Sequence, residues 1–490
     1  MKPRYIAAFD VGTTAVKGIL AQCDGTVAAV RSVDIPTLYA GGVQEQDPQC
    51  WWEAFRVISR EFTAQFDASC ISALVMSGQM QDLIPLDADL LPTGNAILYS
   101  DGRAEAQTRR LEAAVGADAF LRITGNRCDG SLPLPKLMWL REERPEQFRR
   151  TAHVLISSKD YLIARLTGTC CGDVTACSTA GAMDLSQKVW SPQLLAAADV
   201  SPTLFPDLLA PHQPAGILSS SNGCGYAPGT PVFAGIGDAG ATTLASGIAG
   251  PGQYNLNLGT SGWVATVSHQ ALLTESGVFN LAAAAPEHVI NVVPFLNAGN
   301  VHNWVCRSFA GGDYPAAANL LRSSVPGSHG VLFLPYLNGE RFPVLDPDIR
   351  GSYVGLTPET TPADLARAAL EGVAYSLRQG FERLGAVPAE AEIVSLIGGG
   401  SQESVWCQIL ADVLNCNILV FRDGAYLPSL AVAAIARLGL GQLHSYGELT
   451  ASLRAVNAGH IFRPDPTAAA LYRQTYPRYC RLYPALQGLF

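Results

Sequence analysis

The chain has 490 residues, 48% of them hydrophobic and 15% charged, so it can bury large cores and is expected to form at least two domains. The formal net charge of −9 argues against a nucleic-acid partner, which needs a basic face, and the lack of any run of 18 apolar residues argues against a membrane span. The 12 cysteines follow neither CxxC nor Cys/His zinc spacing, which predicts reduced thiols in a cytoplasmic protein.

The N-terminal elements are predicted to be three antiparallel strands. Apolar runs at 6–10, 16–21 and 26–35 are separated first by Gly-Thr-Thr and then by Asp24-Gly25, a dipeptide typical of tight hairpins. We therefore expect a meander in which each strand pairs with the next one along the chain.

A helix and a buried strand are predicted next. Helical periodicity covers 51–66 after the start signal Asp47-Pro48, and 71–78 has the pattern of a buried strand. Residues 156–168 have the pattern of a helix that ends at a glycine. Residues 210–228 are rich in Ser, Pro and Gly and are expected to form a surface connection.

The second half contains a helix with clear end signals. A strand, a glycine-rich turn and a helix are first predicted over 230–248. Further along, Thr361 can cap a helix, Pro362 suits its first position, and apolar residues recur at helical spacing over 365–384. Residues 396–400 are then expected to form a strand that leads into a glycine turn.

A glycine-threonine pattern occurs twice, half a chain apart. FDVGTTAVKGIL spans 9–20, and LNLGTSGWVATV spans 256–267. Each copy predicts a hairpin whose turn offers backbone N–H groups and hydroxyls to phosphate at little steric cost. Two copies indicate two related domains that hold one nucleotide between them.

The two copies differ at the residue just before the turn. Asp10 in the first copy is expected to hold Mg²⁺, directly or through water, although a carboxylate here is also typical of a turn cap. Asn257 replaces it in the second copy, which fits a loop that binds phosphate without metal, because a second carboxylate would add repulsion. The turn donors are predicted to be Thr13 and Thr14 in the first loop and Gly259, Thr260 and Ser261 in the second.

Asp238 lies in GIGDAGA, after a predicted strand and at the start of a predicted helix. A carboxylate there can take a proton from a hydroxyl that attacks a phosphoryl group, and the flanking glycines would let a substrate approach. The local sequence is equally compatible with a helix N-cap. The glycines at 398–400 are a weaker nucleotide signal, and His302 has the character of a local polar residue rather than a metal ligand.

Together these motifs resemble the FGGY family of carbohydrate kinases along nearly the whole chain. SLPLPKLMWLREE at 131–143, with Lys136 and Trp139 in the expected places, is similar to one long family signature. GSYVGLTPETTPADLARAALEG at 351–372 is similar to the other. Shorter matches are EQDPQCWW, SDGR, LGTSG, FLPYLNGER and IGGGSQESVWCQILADV. Within the family, the chain is most similar to xylulokinases.

The resemblance implies an α/β fold with two ribonuclease H-like (actin-like ATPase) domains and a catalytic cleft between them. With a boundary near residue 247, residues 1–247 become the N-terminal domain on the sugar-binding side. Residues 248–490 become the C-terminal domain on the ATP-binding side. Closure of the two domains is then expected to exclude water from the reaction.

Residue by residue, the resemblance implies the following roles. Asp238 becomes the general base, Asp10 becomes the Mg²⁺-associated carboxylate, and Thr13 and Thr14 line the path of the phosphates. The remaining nucleotide-binding positions of the family fall on Gly259, Thr260, Gly299, Asn303, Gly400 and Ser404.

The departures from xylulokinases lie where the sugar is expected to bind. Those enzymes carry Gln-Met-His-Gly where this chain has Gln-Met-Gln-Asp at 79–82, and they have asparagine at the position of Ala239. Their Trp-Asn-Asp-Gly-Arg is Tyr-Ser-Asp-Gly-Arg here, at 99–103. Because a polyol site depends on hydrogen bonds, such changes should alter selectivity strongly. The expected sugar-side residues are Gln79, Met80, Gln81, Asp82, Asp101 and Arg103.

The sequence therefore predicts an enzyme that transfers the γ-phosphate of ATP, with Mg²⁺, to an alcohol group of a small ketose such as a xylulose-like pentulose, or of a polyol. A ribulokinase or another ketose or sugar-alcohol kinase is the alternative within the family. A non-catalytic sugar sensor is disfavoured because Asp10 and Asp238 are both retained. The sugar and ATP are the expected partners, and the sequence leaves open whether the protein is a homodimer.

Overall fold

The computed structural model describes residues 4–219, 223–273, 277–385, 393–422, 426–457 and 459–490. Each half of the chain is built around a large mixed sheet with helices packed on it, so the expected α/β character is confirmed. Within the described ranges, no helix combines the length and the apolar composition that crossing a bilayer requires.

The elements of the N-terminal half are short strands and helices around the first sheet. Its strands are β1 (Tyr5–Val11), β2 (Ala15–Gln22), β3 (Val27–Asp34), β4 (Leu38–Ala40), β5 (Val43–Gln46), β6 (Ile71–Gly78), β7 (Ile84–Leu86), β8 (Ala96–Ile97), β9 (His153–Leu155), β10 (Cys171–Asp173), β11 (Met183–Asp184), β12 (Val189–Trp190), β13 (Asp207–Leu209), β14 (Pro214–Ile217), β15 (Pro231–Phe233) and β16 (Ile236–Gly237). Its helices are α1 (Pro48–Gln65), α2 (Glu105–Val115), α3 (Ala117–Thr124), α4 (Pro133–Glu143), α5 (Pro145–Arg150), α6 (Ser158–Thr167), α7 (Val174–Cys177), α8 (Pro192–Ala197) and α9 (Asp238–Ala245).

The C-terminal half contains fewer strands and longer helices. Its strands are β17 (Tyr254–Leu258), β18 (Gly262–Ser268), β19 (Phe279–Ala282), β20 (Val289–Phe295), β21 (Leu332–Leu334), β22 (Ser352–Val354), β23 (Ile393–Ile397), β24 (Asn417–Val420) and β25 (His460–Phe462). Its helices are α10 (Gly299–Ala310), α11 (Tyr314–Arg322), α12 (Pro362–Arg383), α13 (Ser404–Leu414), α14 (Leu427–Gly439), α15 (Tyr446–Asn457), α16 (Pro466–Cys480) and α17 (Leu482–Leu486).

The two large sheets repeat one arrangement. The first has the strand order β14-β15-β6-β1-β2-β3, with β16 also on β6, and the second has the order β19-β20-β18-β17-β23-β24-β25. In the first, β1 pairs antiparallel with β2, β2 pairs antiparallel with β3, and β6 lies parallel to β1. In the second, β17, β18, β20 and β23 repeat these pairings. The predicted meander is therefore confirmed in the first sheet. The second sheet repeats its pairings except that β19 comes between β18 and β20 in the chain.

Both faces of the first sheet are covered, which explains the apolar run of β1. Phe9 packs on Phe55 of α1, with ring centroids 4.6 Å apart. Ile6 and Ala8 point to the opposite face and join a core that includes α9 and α14. Because side chains alternate along a strand, Asp10 lies on the face of Ile6 and Ala8, the face on which α9 packs. Helix α14, which belongs to the C-terminal half, packs directly on strands β1 and β6 of this sheet.

The predicted helix ends agree with the structure. Asp47 caps α1 by accepting the Gln49 N–H, and α12 begins at Pro362 after its cap Thr361. Asp364 completes a capping box with Thr361. The predicted helix over 156–168 begins slightly later, as α6.

The surface connection predicted over 210–228 is wrong in part. Residues 220–222 lie outside the described residues, but Pro214–Ile217 form β14, which pairs antiparallel with β15 at the edge of the first sheet. An edge strand tolerates proline because one side of it needs no ladder hydrogen bonds. The Pro and Gly content that indicated a loop is therefore compatible with this strand.

Candidate active site

Asp10 lies near the C-terminal end of β1, where β6 runs beside it. Ser77 is its register partner on β6, and the Ser77 hydroxyl donates a hydrogen bond to Asp10 Oδ1 at 2.8 Å. Burial raises the pKa of Asp10, while the Ser77 hydrogen bond and the charge of Lys17 on β2 oppose that rise. A cation beside Asp10 would restore its ionised form.

Asp238 reaches the same region from another strand. β16 pairs with β6 so that Ile236 lies beside Ser77, and Asp238 follows as the first residue of α9. The N-cap interpretation is wrong, because Gly237 holds the cap position of this helix. Asp238 Oδ1 accepts the Ala239 N–H at 2.7 Å, and none of the described residues donates to Oδ2.

The carboxylate of Asp238 titrates at an unusually high pH. Burial and, to a smaller extent, the like charge of Asp10 together raise the pKa of Asp238 to about 7. Asp173, at the start of α7, adds a smaller repulsion. A carboxylate with this pKa is half-protonated near neutral pH, which suits a group that accepts a proton during a reaction.

The first glycine-threonine loop is held by glutamine side chains. The Thr13 hydroxyl donates to Gln79 Oε1 at 2.6 Å, and the Gln46 amide donates to the Thr13 carbonyl at 2.6 Å. Gln79 in turn donates to Gln46 at 2.9 Å. Thr14 is exposed at the tip of the loop. Thr13, Thr14 and Gln79 therefore lie together beside the end of β1.

The predicted sugar-side segment 79–82 follows β6 directly. Gln79 is buried, whereas Met80 and Gln81 are partly exposed. Gln81 adopts a positive φ of 65°, and its amide donates to the Ser131 hydroxyl at 2.7 Å. The segment is thus a sharply turned loop beside Asp10 and Asp238, at the end of the strand to which β1 and β16 both pair.

Asp82, the last residue of this loop, and Lys136 of α4 are both fully buried. Asp82 Oδ1 accepts the Tyr99 N–H at 3.0 Å, and Lys136 Nζ donates to the Leu98 carbonyl at 2.7 Å. Burial raises the pKa of Asp82 and lowers the pKa of Lys136, and the attraction between the two opposes both shifts. The charge of Asp238 also raises the pKa of Asp82, so the two carboxylates are close enough to interact.

Asp101 and Arg103 bind each other. The guanidinium donates to both carboxylate oxygens, at 2.9 and 2.6 Å, and also contacts Glu45 at 2.9 Å. Its carbon lies 4.8 Å from the ring centroid of Trp139. Burial alone would raise the pKa of Asp101, but the bonds from Arg103 and from the Gln44 N–H leave it below its usual value. Much of their hydrogen-bonding capacity is therefore used within the protein.

The second glycine-threonine loop is held by backbone hydrogen bonds. The N–H of Gly299 donates to the Gly259 carbonyl at 2.8 Å, and the N–H of Asn300 donates to the Thr260 carbonyl at 2.9 Å. The first turn of α10 is thereby attached to the loop. A Cβ on Gly299 would collide with the Gly259 carbonyl, so glycine is needed for this close approach.

A cavity of about 650 Å³ opens beside the second loop. Six of the eight residues predicted from the sequence to bind the nucleotide line it: Gly259, Thr260, Gly299, Asn303, Gly400 and Ser404. The other two, Thr13 and Thr14, are not part of its wall and lie on the first hairpin. Residues from the second loop, from α10 and from the turn before α13 thus meet around one space. Its volume is in the range of small-molecule sites.

Other residues of the cavity wall were not identified from the sequence. Tyr314 and Arg322 come from α11, and Glu403 lies just before α13. His302 also belongs to the wall, buried beside the rings of Tyr314 and Trp406, and burial lowers its pKa. The α11 residues carry no local motif, because packing of α11 on α10 brings them to the cavity.

The residues around Asp10 fit a magnesium ion that keeps most of its water ligands. Among the described residues, no group of three or more His, Cys, Asp or Glu is arranged to hold a metal. Mg²⁺ in phosphate-transfer sites is commonly held by one or two carboxylates together with phosphates and water. Asp10, whose like charge raises the pKa of the neighbouring Asp238, supplies one such carboxylate.

Comparison with known proteins gives matches in both halves of the chain. Residues 5–245 match the N-terminal domain, and residues 254–436 the C-terminal domain, of the FGGY family of carbohydrate kinases. The predicted boundary near residue 247 falls between these segments and stays a prediction.

Individual relatives match nearly end to end. A xylulose kinase from Escherichia coli (strain K12) is 33% identical over 485 residues, which cover 98% of this chain and 99% of that protein. A gluconokinase from Bacillus subtilis (strain 168) is 27% identical, covering 99% of this chain and 97% of that protein. The structure of a ligand-bound xylulose kinase from Lactobacillus acidophilus superimposes with a TM-score of 0.90 at 28% identity, covering 99% and 98% of the two chains.

Proposed function

Because the chain belongs to the FGGY family of carbohydrate kinases, we propose that Asp238 activates the acceptor hydroxyl and that the cavity beside the second loop holds ATP. The predicted family, two-domain kinase fold and enzyme class are confirmed: the protein is an ATP-dependent sugar kinase that transfers phosphate to an alcohol group. The observation that carries the residue assignment is the convergence of Asp10 and Asp238 beside Ser77.

Asp238 is the proposed general base. Its Oδ1 is engaged by the Ala239 N–H, which leaves Oδ2 to receive the proton of the sugar hydroxyl. The deprotonating oxygen then attacks the γ-phosphate in line with the departing ADP oxygen. Since the transferred phosphoryl group needs little covalent help, positioning of the two substrates supplies most of the remaining catalysis.

Asp10 is the proposed carboxylate for Mg²⁺, directly or through a water molecule. When bound, the ion would neutralise charge on the phosphates of ATP. The hydrogen bond from Ser77 orients the Asp10 side chain for this role. Thr13 and Thr14 are proposed to line the phosphate path, with the Thr13 hydroxyl held in place by Gln79.

The proposed sugar is a small ketose, with xylulose as the reference compound. Xylulose kinases from several bacteria are similar to this chain, and the segment 79–82 adjoins the proposed base. Gln81 and Asp82 depart from the Gln-Met-His-Gly pattern that the resemblance to xylulokinases implies, so we propose a selectivity that differs from that of a typical xylulokinase. Arg103 and Asp101 are proposed to brace the sugar side rather than to supply many free donors.

A substrate panel tests this function directly. Purified protein with Mg-ATP should release ADP on D-xylulose, L-xylulose, D-ribulose, L-ribulose and a set of heptuloses and polyols. We expect at least one ketose to give sugar-dependent turnover, measured by coupled ADP detection and by mass spectrometry of the product. ADP release that no compound of the panel stimulates would contradict the proposed substrate class.

Substitution of the base tests the assignment of Asp238. Asp238→Asn keeps the hydrogen bond from the Ala239 N–H but cannot accept a proton, so sugar-dependent turnover should fall by roughly 10²–10⁴-fold. ADP binding and the melting temperature should stay close to those of the wild type. Turnover that survives this change would refute the assigned base. Cytoplasmic location stays a prediction of the sequence, which leaves the oligomeric state open.

A further inference from the structure

A carboxylate forms part of the wall of the cavity beside the second loop. Glu403 lies between Gly400 and Ser404 in the chain, lines the cavity, and is only 9% exposed. It is the one acidic side chain among the described residues that line this space. A buried carboxylate oxygen normally has a hydrogen-bond donor, so the partners of Glu403 indicate what the cavity is built to bind.

One oxygen of Glu403 has a partner and the other does not. Oε1 accepts the Val405 N–H at 3.0 Å and caps α13. No hydrogen bond or ion pair reaches Oε2 from the part of the chain that the structure describes. Arg322, the cation in the same wall, donates instead to Asn319 at 3.0 Å. On a side chain that lines the cavity, Oε2 is therefore an acceptor that lacks a donor among the described residues.

The charge of Glu403 decides which end of a nucleotide faces it. A carboxylate next to a triphosphate would be strongly repelled, and the repulsion grows when both groups leave bulk water. The lining also includes Gly259 and Thr260, whose loop offers hydroxyl and N–H groups without a negative charge. Phosphates are thus expected at the loop, and the nucleoside at Glu403.

Building on the proposed assignment of this cavity to ATP, we infer that Glu403 Oε2 accepts a hydrogen bond from the nucleoside of the bound nucleotide. The donors that a nucleoside offers are the ribose hydroxyls and the 6-amino group of adenine. Carboxylates at other nucleotide sites accept hydrogen bonds from ribose hydroxyls in the same way. Glu403 thereby selects among nucleotides without taking part in the transfer of phosphate.

Calorimetric titration with nucleoside diphosphates tests this contact without any sugar. The ligands are ADP, 2′-deoxy-ADP, 3′-deoxy-ADP and inosine diphosphate, which has an oxygen in place of the 6-amino group. We expect the wild type to bind at least one analogue roughly tenfold more weakly than ADP, and Glu403→Ala to reduce that ratio to about twofold or less. A deoxy analogue that shows this pattern identifies the ribose as the donor, and inosine diphosphate identifies the base.

Two further variants separate recognition from loss of the helix cap. Glu403→Ser keeps a short capping oxygen for α13 but cannot reach into the cavity, so it should lose discrimination as Glu403→Ala does. Asp465→Ala removes the cap of α16 and should leave the ligand ratios unchanged, because Asp465 is not part of the cavity wall.

The outcomes distinguish the inference from the proposed function. If the wild type binds ADP but its ratios are all close to one, or are unchanged in Glu403→Ala, the contact is wrong and the kinase assignment stands. If the wild type binds no ADP, the assignment of the cavity to ATP is wrong, and the role of Glu403 is wrong with it.

Discussion

The two glycine-threonine hairpins occupy equivalent places in two sheets, yet their neighbours differ in kind. On the first sheet, Asp10 has Ser77 beside it on one strand and Lys17 on the other. On the second sheet, the residues beside Asn257 are Ile397 and Trp263. Directly paired residues share one face of a sheet, so a hydroxyl and an ammonium group support the first position and apolar groups surround the second.

The loops themselves differ in length and in attachment. Four residues, 12–15, separate the paired ends of the first hairpin, and three residues, 259–261, separate those of the second. Glutamine side chains hold the first loop, whereas the backbone of α10 holds the second. The repeated scaffold has therefore diverged into one loop beside charged groups and one loop beside a cavity.

Among the changes that test this difference, we expect the largest effect from exchanging the residue before the turn of the first hairpin for that of the second. Asp10→Asn gives the first hairpin the residue of the second. Loss of the carboxylate proposed for Mg²⁺ removes several kcal/mol of charge stabilisation in the transition state, so kcat should fall by roughly 10²–10³-fold. Initial rates at saturating sugar, over a range of Mg²⁺ concentrations, measure the effect.

An aspartate elsewhere in the same sheet provides the control for Asp10→Asn. Asp24 lies in the next turn and accepts the Thr26 N–H at 2.8 Å, so Asp24→Asn should leave kcat unchanged. A wild-type kcat in Asp10→Asn would show that the first hairpin does not differ from the second in the way proposed.

The pH dependence of kcat/KM should follow the ionisation of Asp238, which lies near the first hairpin. Asp238 must be ionised to accept a proton, and its raised pKa of about 7 keeps it protonated at lower pH. Activity is therefore lost as the pH falls through 7, with kcat/KM for the sugar decreasing about tenfold per pH unit below it. Asp10→Asn removes a like charge and should move this limb to lower pH.

A flat pH profile between pH 5 and pH 8 would contradict the assigned base. The matched comparison is ADP binding without sugar over the same range, because the cavity beside the second loop contains neither Asp10 nor Asp238. We expect ADP affinity to lack the limb near pH 7 that kcat/KM shows.

The reciprocal exchange should have a smaller effect. Asn257→Asp places a carboxylate between Ile397 and Trp263, beside the loop proposed to bind phosphate. Like-charge repulsion worth about 1.4 kcal/mol would raise the KM for ATP roughly tenfold, with little change in kcat. An unchanged KM for ATP would show that ATP binding does not depend on the absence of a negative charge at residue 257.

The sequence predicted those elements whose own residues show a strand pattern or a helix cap. The buried pattern of 71–78 became β6 with the same bounds, and the cap at Thr361 followed by Pro362 marked the start of α12. β14 was missed because an edge strand needs little local preference and tolerates proline. The unequal loop lengths were also missed, since strand register depends on pairing across the sheet rather than on the motif.

The candidate site could be predicted where its residues stand in motifs. Eight residues were expected to bind the nucleotide, and the six from the second half of the chain do line one cavity, whereas Thr13 and Thr14 lie on the first hairpin. The buried pair of Asp82 and Lys136 could not be predicted, because the two residues lie far apart in the chain and packing brings them together. Arg103 was expected to face the sugar, whereas its contacts to Asp101, Glu45 and Trp139 depend on tertiary structure.

The smallest predicted effect concerns the hydroxyl that distinguishes the first hairpin from the second. Ser77→Ala removes the 2.8 Å hydrogen bond to Asp10, and a bond of this kind contributes about 0.5–1.5 kcal/mol, so kcat should fall roughly two- to tenfold. Ser395→Ala is the matched control, since Ser395 lies on the equivalent strand β23 and, among the described residues, donates to the Tyr254 carbonyl alone, at 3.3 Å. Equal rates for the two variants would mean that Ser77 fills space beside Asp10 without orienting it. A reduced rate in Ser77→Ala alone would assign to that hydroxyl part of the difference between the hairpins.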